Sequence, residues 1–292
     1  MEIKNVIICG LGALGLTYAN KLNNVCNLKI LVDEKRLENF KINPPIFNEE
    51  KQSFDYILPN KKEKVDLIII STKAGGLDLA CEYIKNYVNK DTIIISLING
   101  ISSEEKVRQK YPFAKVLNSY FIGHSAMKIG DKFFQDGIGK IVFEPNEDLK
   151  KFFEKSQIDY EVLENIIYSQ WQKLGVNIVL NQLSAIYNLT VGELRNRDDY
   201  LVQAQNLLQE VLAVAKKCGV ENLDNYVQEV LESANLIADD GVTSMLQDVR
   251  NKRKTEVDIF SGEIISLGRK NGIKTPCNED VYNKIKLIEK EF

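Results

Sequence analysis

The sequence predicts an α/β protein: an N-terminal domain with a mostly parallel sheet over residues 1–165, followed by an all-α C-terminal domain over residues 166–292. Three observations predict it. The first half alternates short apolar runs with amphipathic stretches, the pattern of βαβ units. After about Ile166, long segments at helical period dominate. A chain of 292 residues also exceeds the size at which one hydrophobic core keeps growing, so two domains are expected.

The elements follow in order. A strand over Ile3–Cys9 leads through a glycine turn into a helix over Ala13–Leu22 and a second strand over Leu28–Val32. Leu67–Ile70, Thr92–Leu97 and Lys115–Leu117 are further buried strands, with helices near Leu77–Tyr87 and Ser103–Lys110 between them. Residues Ser119 to Phe143 carry Gly123, Gly130, Gly137 and Gly139 between β-rich pieces ending in Lys140–Phe143. They predict antiparallel strands appended to the sheet. The helical half comprises Ile166–Tyr187, Asp199–Lys217, Asn225–Ala238 and Thr255–Lys270, with no internal repeat.

Composition narrows the function. With 44% hydrophobic and 27% charged residues the chain is that of a folded globular protein. A net charge of −3 argues against nucleic acid as a partner, and the run Lys61, Lys62, Lys64 is a solvated turn. The cysteines Cys9, Cys26, Cys81, Cys218 and Cys277 are odd in number, scattered and without a C-x-x-C pair. They suit a reducing, cytoplasmic setting with mostly buried thiols and no metal site. The apolar stretch Val6–Leu16 is no signal peptide, because glycines interrupt it and no cleavage-type site follows. No apolar run reaches the ~18 residues of a membrane span, so no membrane association is expected.

Gly10-Leu11-Gly12-Ala13-Leu14-Gly15 is a G-x-G-x-x-G sequence between a strand and a helix. In that context the first glycine permits the turn, the second lets the backbone approach a pyrophosphate, and the third allows close helix–strand packing. Asp33 ends the second strand at roughly the ~20-residue distance where a carboxylate receives ribose hydroxyls, which makes this a dinucleotide site. A carboxylate there favours the 2′-hydroxyl of NAD over the 2′-phosphate of NADP. Lys35, Arg36 and Lys73 stand against that tilt, being either phosphate ligands or exposed charges. Lys73 and Asn99-Gly100 follow buried strands at their carboxyl ends, where ligands of open parallel sheets collect. Asn99 offers donor and acceptor to nicotinamide or substrate, or simply makes a turn.

The segment Ile166–Tyr187 is apolar nearly all round, yet Lys173, Asn177 and Asn181 recur at i, i+4 and i+8 along one face. Structural asparagines and a lysine reaching for solvent are the plain explanation. Three aligned polar heads on a buried helix better suit a small polar ligand lying along it. Downstream, Ser244-Met-Leu-Gln-Asp precedes Thr255-Glu-Val-Asp, where Ser244 is either a helix cap or a ligand group, and Thr255 or Glu256 opens the next helix.

Four segments together resemble the ketopantoate reductase (2-dehydropantoate 2-reductase) family: GLGALG; S-T-K at 71 to 73 with I-N-G at 98 to 100; W-Q-K-L-G-V-N-x-x-x-N from Trp171; and S-M-L-Q-D…T-E-V-D from Ser244, followed by R-K-N-G-I-K-T-P-C-N. The resemblance spans nearly the whole chain. It implies a Rossmann-type N-terminal domain, a helical C-terminal domain, NADP or NAD as cofactor, and a small 2-oxo acid as substrate. It further implies hydride transfer to ketopantoate, giving pantoate for pantothenate and coenzyme A biosynthesis. By the same resemblance Lys173 is the general acid, Asn177, Asn181 and Asn99 hold substrate oxygens, Ser244 binds near the carboxylate, and Glu256 stands by the lysine and the nicotinamide ribose. Lys73 and Asn99 join the cofactor side.

The residue types fit that chemistry. Hydride reaching a carbonyl carbon leaves an alkoxide that needs a proton and charge stabilisation, and a lysine provides both. Burial and a neighbouring carboxylate act on its acidity in opposite directions. One departure bears on the substrate: NADPH-dependent members tend to have arginine near the end of the second strand, where this chain has Asp33. Relatives that look like NAD-dependent D-2-hydroxyacid dehydrogenases, acting on branched or aromatic 2-oxo acids, are the rival reading. A cofactor-sensing regulator is the non-enzyme rival, although it has no chemical need for Lys173, Ser244 and Glu256 together. His124 matches no motif and reads as structural. Apolar positions on the C-terminal helices would support a homodimer.

Overall fold

The computed structural model describes residues 1–123, 127–129, 132–134 and 139–292. Its contacts divide into two compact units, Met1–Ile166 and Ile167–Phe292.

The first unit begins with β1 (Asn5–Cys9), α1 (Ala13–Leu22), β2 (Asn27–Leu31), α2 (Glu34–Ile42), β3 (Ile46–Phe47), β4 (Glu50–Lys51) and β5 (Tyr56–Ile57). It continues through β6 (Leu67–Ile70), α3 (Leu77–Ile84), β7 (Ile93–Ser96), α4 (Ser103–Lys110), β8 (Lys115–Leu117) and β9 (Ser119–Gly123). It closes with β10 (Met127–Ile129), β11 (Lys132–Phe134), β12 (Gly139–Phe143), α5 (Glu147–Lys155) and β13 (Tyr160–Val162). Six strands form the main sheet in the order β5-β2-β1-β6-β7-β8, every neighbouring pair parallel. The runs Leu-Ile-Ile-Ile of β6 and Ile-Ile-Ile-Ser of β7 are buried throughout, as befits central strands covered on both faces. Each fully buried isoleucine there contributes about 1.5–3 kcal/mol. From β1 the chain runs outward to β5 and then returns to place β6 on the other side of β1. The reversal of strand order therefore lies between β1 and β6, and a crevice outside their carboxyl ends is where such sheets bind ligands.

The expected antiparallel strands exist but are not appended to that sheet. β12 pairs antiparallel with β9 and parallel with β13 in a separate three-stranded sheet, while β10 and β11 join β3 and β4 in another. Phe143 of β12 packs edge-on against Phe153 of α5 at 5.5 Å between ring centroids, so the second sheet has its own aromatic anchor. His124 lies outside the described residues.

The second unit is helical: α6 (Ile166–Val176, its first residue in the preceding unit), a π-helical stretch Asn177–Gln182, α7 (Leu183–Tyr187), α8 (Val191–Arg195), α9 (Tyr200–Lys217), α10 (Tyr226–Asn235), α11 (Ser244–Arg250), a 3₁₀ turn Val257–Ile259, α12 (Ser261–Asn271) and α13 (Pro276–Glu289). Thr255–Lys270 is thus not one helix. Its first residues are a turn, and α12 starts only at Ser261. Ile178, Val179 and Leu180 of the π stretch are fully buried, as an all-apolar helix requires. No helix among the described residues is long and apolar enough to cross a membrane.

Candidate active site

In the first unit, Gly10, the Ser71-Thr72-Lys73 segment and Asn99-Gly100 follow the carboxyl ends of the adjacent strands β1, β6 and β7. Gly10 has φ +108, and a Cβ there would lie 2.7 Å from the Thr72 backbone nitrogen, so only glycine turns here. Ser71 Oγ donates to the Gly10 carbonyl at 2.8 Å and ties the two strand ends together. A Cβ on Gly15 would overlap the Gly10 carbonyl oxygen at 1.9 Å, the close helix–strand approach expected of the third glycine. Gly12 differs. Its Cβ position meets no heavy atom nearer than Ser71 O at 4.0 Å, and as N-cap of α1 it receives no side-chain cap. The helix N-terminus there keeps its backbone donors and positive dipole end, with room for a diphosphate to approach.

Leu11, Ala13 and Leu14 are half-buried beside that turn, Asn99 is half-buried and Lys73 is exposed. Asp33 follows β2 but has a second duty: it caps α2, its Oδ1 accepting from the Arg36 backbone N–H at 2.7 Å. Its Oδ2 is approached by the Tyr83 hydroxyl at 3.4 Å and by Arg36 Nε at 3.8 Å. One strand end therefore presents a carboxylate and a guanidinium side by side, with Lys35 and Arg36 both exposed.

In the second unit, Lys173 and Asn177 are half-buried and Asn181 is buried. At about 100° per residue, an unbroken α-helix would carry Asn181 roughly 80° around the axis from Lys173. The π winding of Asn177–Gln182 advances less per residue and brings Asn181 back toward the Lys173 side, and Asn181 Nδ2 donates to Asn177 Oδ1 at 2.8 Å. Ser244 Oγ donates to Asn181 Oδ1 at 3.1 Å, and the Met245 backbone N–H approaches the same oxygen at 3.3 Å. Asn177, Asn181 and Ser244 thus form one hydrogen-bonded row, with Lys173 one turn before it. Gly175 permits the packing beneath. A Cβ there would meet Tyr226 Oη at 2.6 Å, and that buried hydroxyl donates to the Trp171 carbonyl at 2.7 Å.

Ser244 does not cap its helix. Thr243 does, its hydroxyl accepting from the Leu246 N–H at 3.3 Å while also sharing a 2.6 Å hydrogen bond with Ser184. The exposed Ser244 side chain therefore faces Asn181 rather than its own backbone. Asp248 closes the turn toward Thr255, meeting Arg253 Nε at 3.0 Å. Glu256, half-buried, opens the 3₁₀ turn rather than a long helix. The reason is Glu289 of α13, whose Oε1 accepts from both the backbone N–H and the hydroxyl of Thr255 at 2.7 Å and holds this segment off the helical path.

Sequence reasoning quoted Asp248 within its segment without giving it a part, and missed Thr243 and Glu289. A threonine just before a short helix is a legible cap signal. Nothing local marks Glu289, which acts across 34 residues.

Two profiles match the chain: "Ketopantoate reductase PanE/ApbA" over residues 6–148 and "Ketopantoate reductase PanE/ApbA C terminal" over residues 165–289. A 2-dehydropantoate 2-reductase of Streptococcus pyogenes is 27% identical over 286 residues, covering 93% of each chain. Among solved structures, D-mandelate dehydrogenase in complex with NADH is similar at TM-score 0.87 and 22% identity, over 98% of this chain and 99% of that one. A dimeric ketopantoate reductase from Staphylococcus aureus is similar at TM-score 0.80 and 22% identity, over 98% of this chain and 99% of that one. With both profiles matched in order across the glycine turn and the Lys173 helix, the chain belongs to the ketopantoate reductase family of oxidoreductases.

Proposed function

We propose that this chain is a 2-dehydropantoate 2-reductase, with a nucleotide-binding domain over residues 1–165 and a substrate domain over residues 166–292. The row Asn177, Asn181, Ser244 beside Lys173 carries the proposal. It offers neutral donors and acceptors for a carboxylate and a carbonyl oxygen next to one cationic proton donor. In this reading Gly10 to Gly15 cradle the diphosphate, Asp33 and Lys73 meet the adenosine end, and Asn99 reaches the nicotinamide or the substrate. The nicotinamide ring supplies hydride when bound. Lys173 Nζ hydrogen-bonds the 2-oxo oxygen and yields a proton to it as negative charge develops there. Asn177, Asn181 and Ser244 fix the acid so that its carbonyl carbon is presented in one orientation, a contribution of proximity. Glu256, which opens the 3₁₀ turn, is the carboxylate this reading assigns to Lys173.

Asp33 and the similarity to a D-mandelate dehydrogenase holding NADH favour a second reading, an NAD-dependent D-2-hydroxyacid dehydrogenase. Arg36 beside Asp33 supports NADP instead. The resemblance to a dimeric relative supports a homodimer. Steady-state kinetics with ketopantoate, 2-oxoisovalerate and phenylglyoxylate, each with NADH and NADPH, tests the proposal. Preference for ketopantoate in kcat/KM is expected; a preference for phenylglyoxylate with NADH moves the chain to the second reading, and no turnover with any acid overturns both.

A further inference from the structure

Behind the row of Asn177, Asn181 and Ser244 lies a second polar chain, buried at Gln182, Ser261 and Asn278 and half-buried at Glu210. Gln182, the last residue of the π stretch, is 0% exposed. Its Nε2 donates to Ser261 Oγ at 2.9 Å and to the Ile178 carbonyl at 3.3 Å, and its Oε1 accepts from the Ser261 backbone N–H at 3.2 Å. Ser261 is also 0% exposed, and its Oγ donates to Asn278 Oδ1 at 2.8 Å. Asn278 Nδ2 donates in turn to Glu210 Oε2 at 2.8 Å, and Glu210 also accepts from the backbone N–H groups of Cys277 and Asn278. Four helical segments, the π stretch, α12, α13 and α9, are joined by one line of satisfied hydrogen bonds.

A buried amide is tolerated only when its donors and acceptors are met, and a buried line of them fixes one arrangement of the elements it joins. The arrangement fixed here matters for two reasons. π winding moves backbone bonding from i−4 to i−5, and the Ile178 carbonyl, four residues before Gln182, receives the Gln182 side chain. The same side chain holds Ser261, the first residue of α12, which follows the 3₁₀ turn opened by Glu256. We infer that Gln182 and Ser261 are positioning residues: their hydrogen-bonded pair holds the π winding that returns Asn181 to the Lys173 side of the helix and fixes the Glu256 turn to the same helix. Neither residue touches substrate. Without the pair, the helix relaxes toward α winding, Asn181 rotates away from the Lys173 side, and the 2-oxo acid loses its aligned partners.

This inference rests on the proposed 2-oxo acid reduction, and its test separates the two. Gln182→Met keeps the volume and removes every side-chain hydrogen bond; Ser261→Ala is the milder variant, keeping its backbone N–H to Gln182. Tyr226→Phe, which removes one buried hydrogen bond to the same helix away from the row, serves as the stability control. KM and kcat for the best 2-oxo acid, the Kd for nicotinamide dinucleotide and Tm are measured for all three, at a temperature well below every Tm. Gln182→Met is expected to raise KM about tenfold, equivalent to ~1.4 kcal/mol, with Kd for the dinucleotide within twofold of wild type. Ser261→Ala is expected to raise KM by a smaller factor, and Tyr226→Phe to lower Tm without moving KM. Should Gln182→Met and Ser261→Ala lower Tm as Tyr226→Phe does while KM and kcat stay within twofold, the pair is structural only and the inference fails, the reduction standing. If Gln182→Met does not fold, Ser261→Ala alone decides. No turnover by the wild type with any 2-oxo acid fails the functional reading instead.

Discussion

Gly12 and Gly15 belong to one motif, yet the structure gives them different work, and alanine at each should separate the two. At Gly15 the added methyl would lie 1.9 Å from the Gly10 carbonyl oxygen and 2.6 Å from Ser71 Oγ. Neither neighbour can withdraw cheaply: the carbonyl is backbone of a positive-φ turn, and Ser71 is buried and bonded to that carbonyl. Overpacking of this kind costs ~3 kcal/mol or more, which for a unit of this size lowers Tm by about 6–12 °C. At Gly12 the methyl meets nothing nearer than 4.0 Å and the backbone has φ −77, which alanine adopts freely. Stability should then change by less than ~1 kcal/mol, losses at the cap being offset by reduced freedom of the unfolded chain. The methyl fills the space through which a diphosphate would reach the helix N-terminus, so Kd for NADH or NADPH should rise about 10- to 100-fold, ~1.4–2.8 kcal/mol. Thermal unfolding without cofactor and calorimetric titration with each dinucleotide read both quantities. A Gly12→Ala protein that loses as much Tm as Gly15→Ala and still binds dinucleotide normally would refute the assignment of this turn.

Lys173→Ala should lower turnover by a factor of about 10²–10⁴, the usual worth of a general acid, while dinucleotide Kd stays within twofold; near-normal turnover in stopped-flow assays removes Lys173 from the mechanism. Burial pushes the Glu289 carboxyl up, but hydrogen bonds from Thr255 and the charge of Lys286 outweigh it and hold it below the usual glutamate value. A depressed carboxyl stabilises the fold above the unfolded value of about 4.3 and loses that contribution as pH falls through the folded value beneath it. Tm of the wild type should therefore fall more steeply than that of Glu289→Gln below about pH 4.3, and parallel curves would contradict this. Burial pushes the Cys9 thiol up to about 12 and also raises that of Cys81, whereas Cys218 is exposed. Mass spectrometry after brief alkylation of native protein should find Cys218 modified, with Cys9 and Cys81 reached only on unfolding.

What could be read from the sequence was what neighbouring residues decide. The Leu67–Ile70 run and the Gly10 to Gly15 turn are dictated by burial on both faces and by steric demands within a few residues, and they lie where periodicity puts them. Strands β3, β4 and β5, of two residues each, are shorter than any period and exist through their sheet partners. The polar face of the Lys173 helix was legible because three side chains at i, i+4 and i+8 need only a helix to share a side. How closely they align was not, because winding depends on Gln182 meeting Ser261 across 79 residues. The break before α12 was hidden for the same reason: Thr255 leaves the helical path for Glu289, a choice made by tertiary structure against a local pattern that favours helix. The residues proposed to carry the chemistry were thus visible as types and spacings, whereas those inferred to set their geometry sit on distant helices and carry no local mark. A search for positioning residues in such a domain should begin from its fully buried amides and hydroxyls, since each must be satisfied by a partner that fixes where its helix can lie.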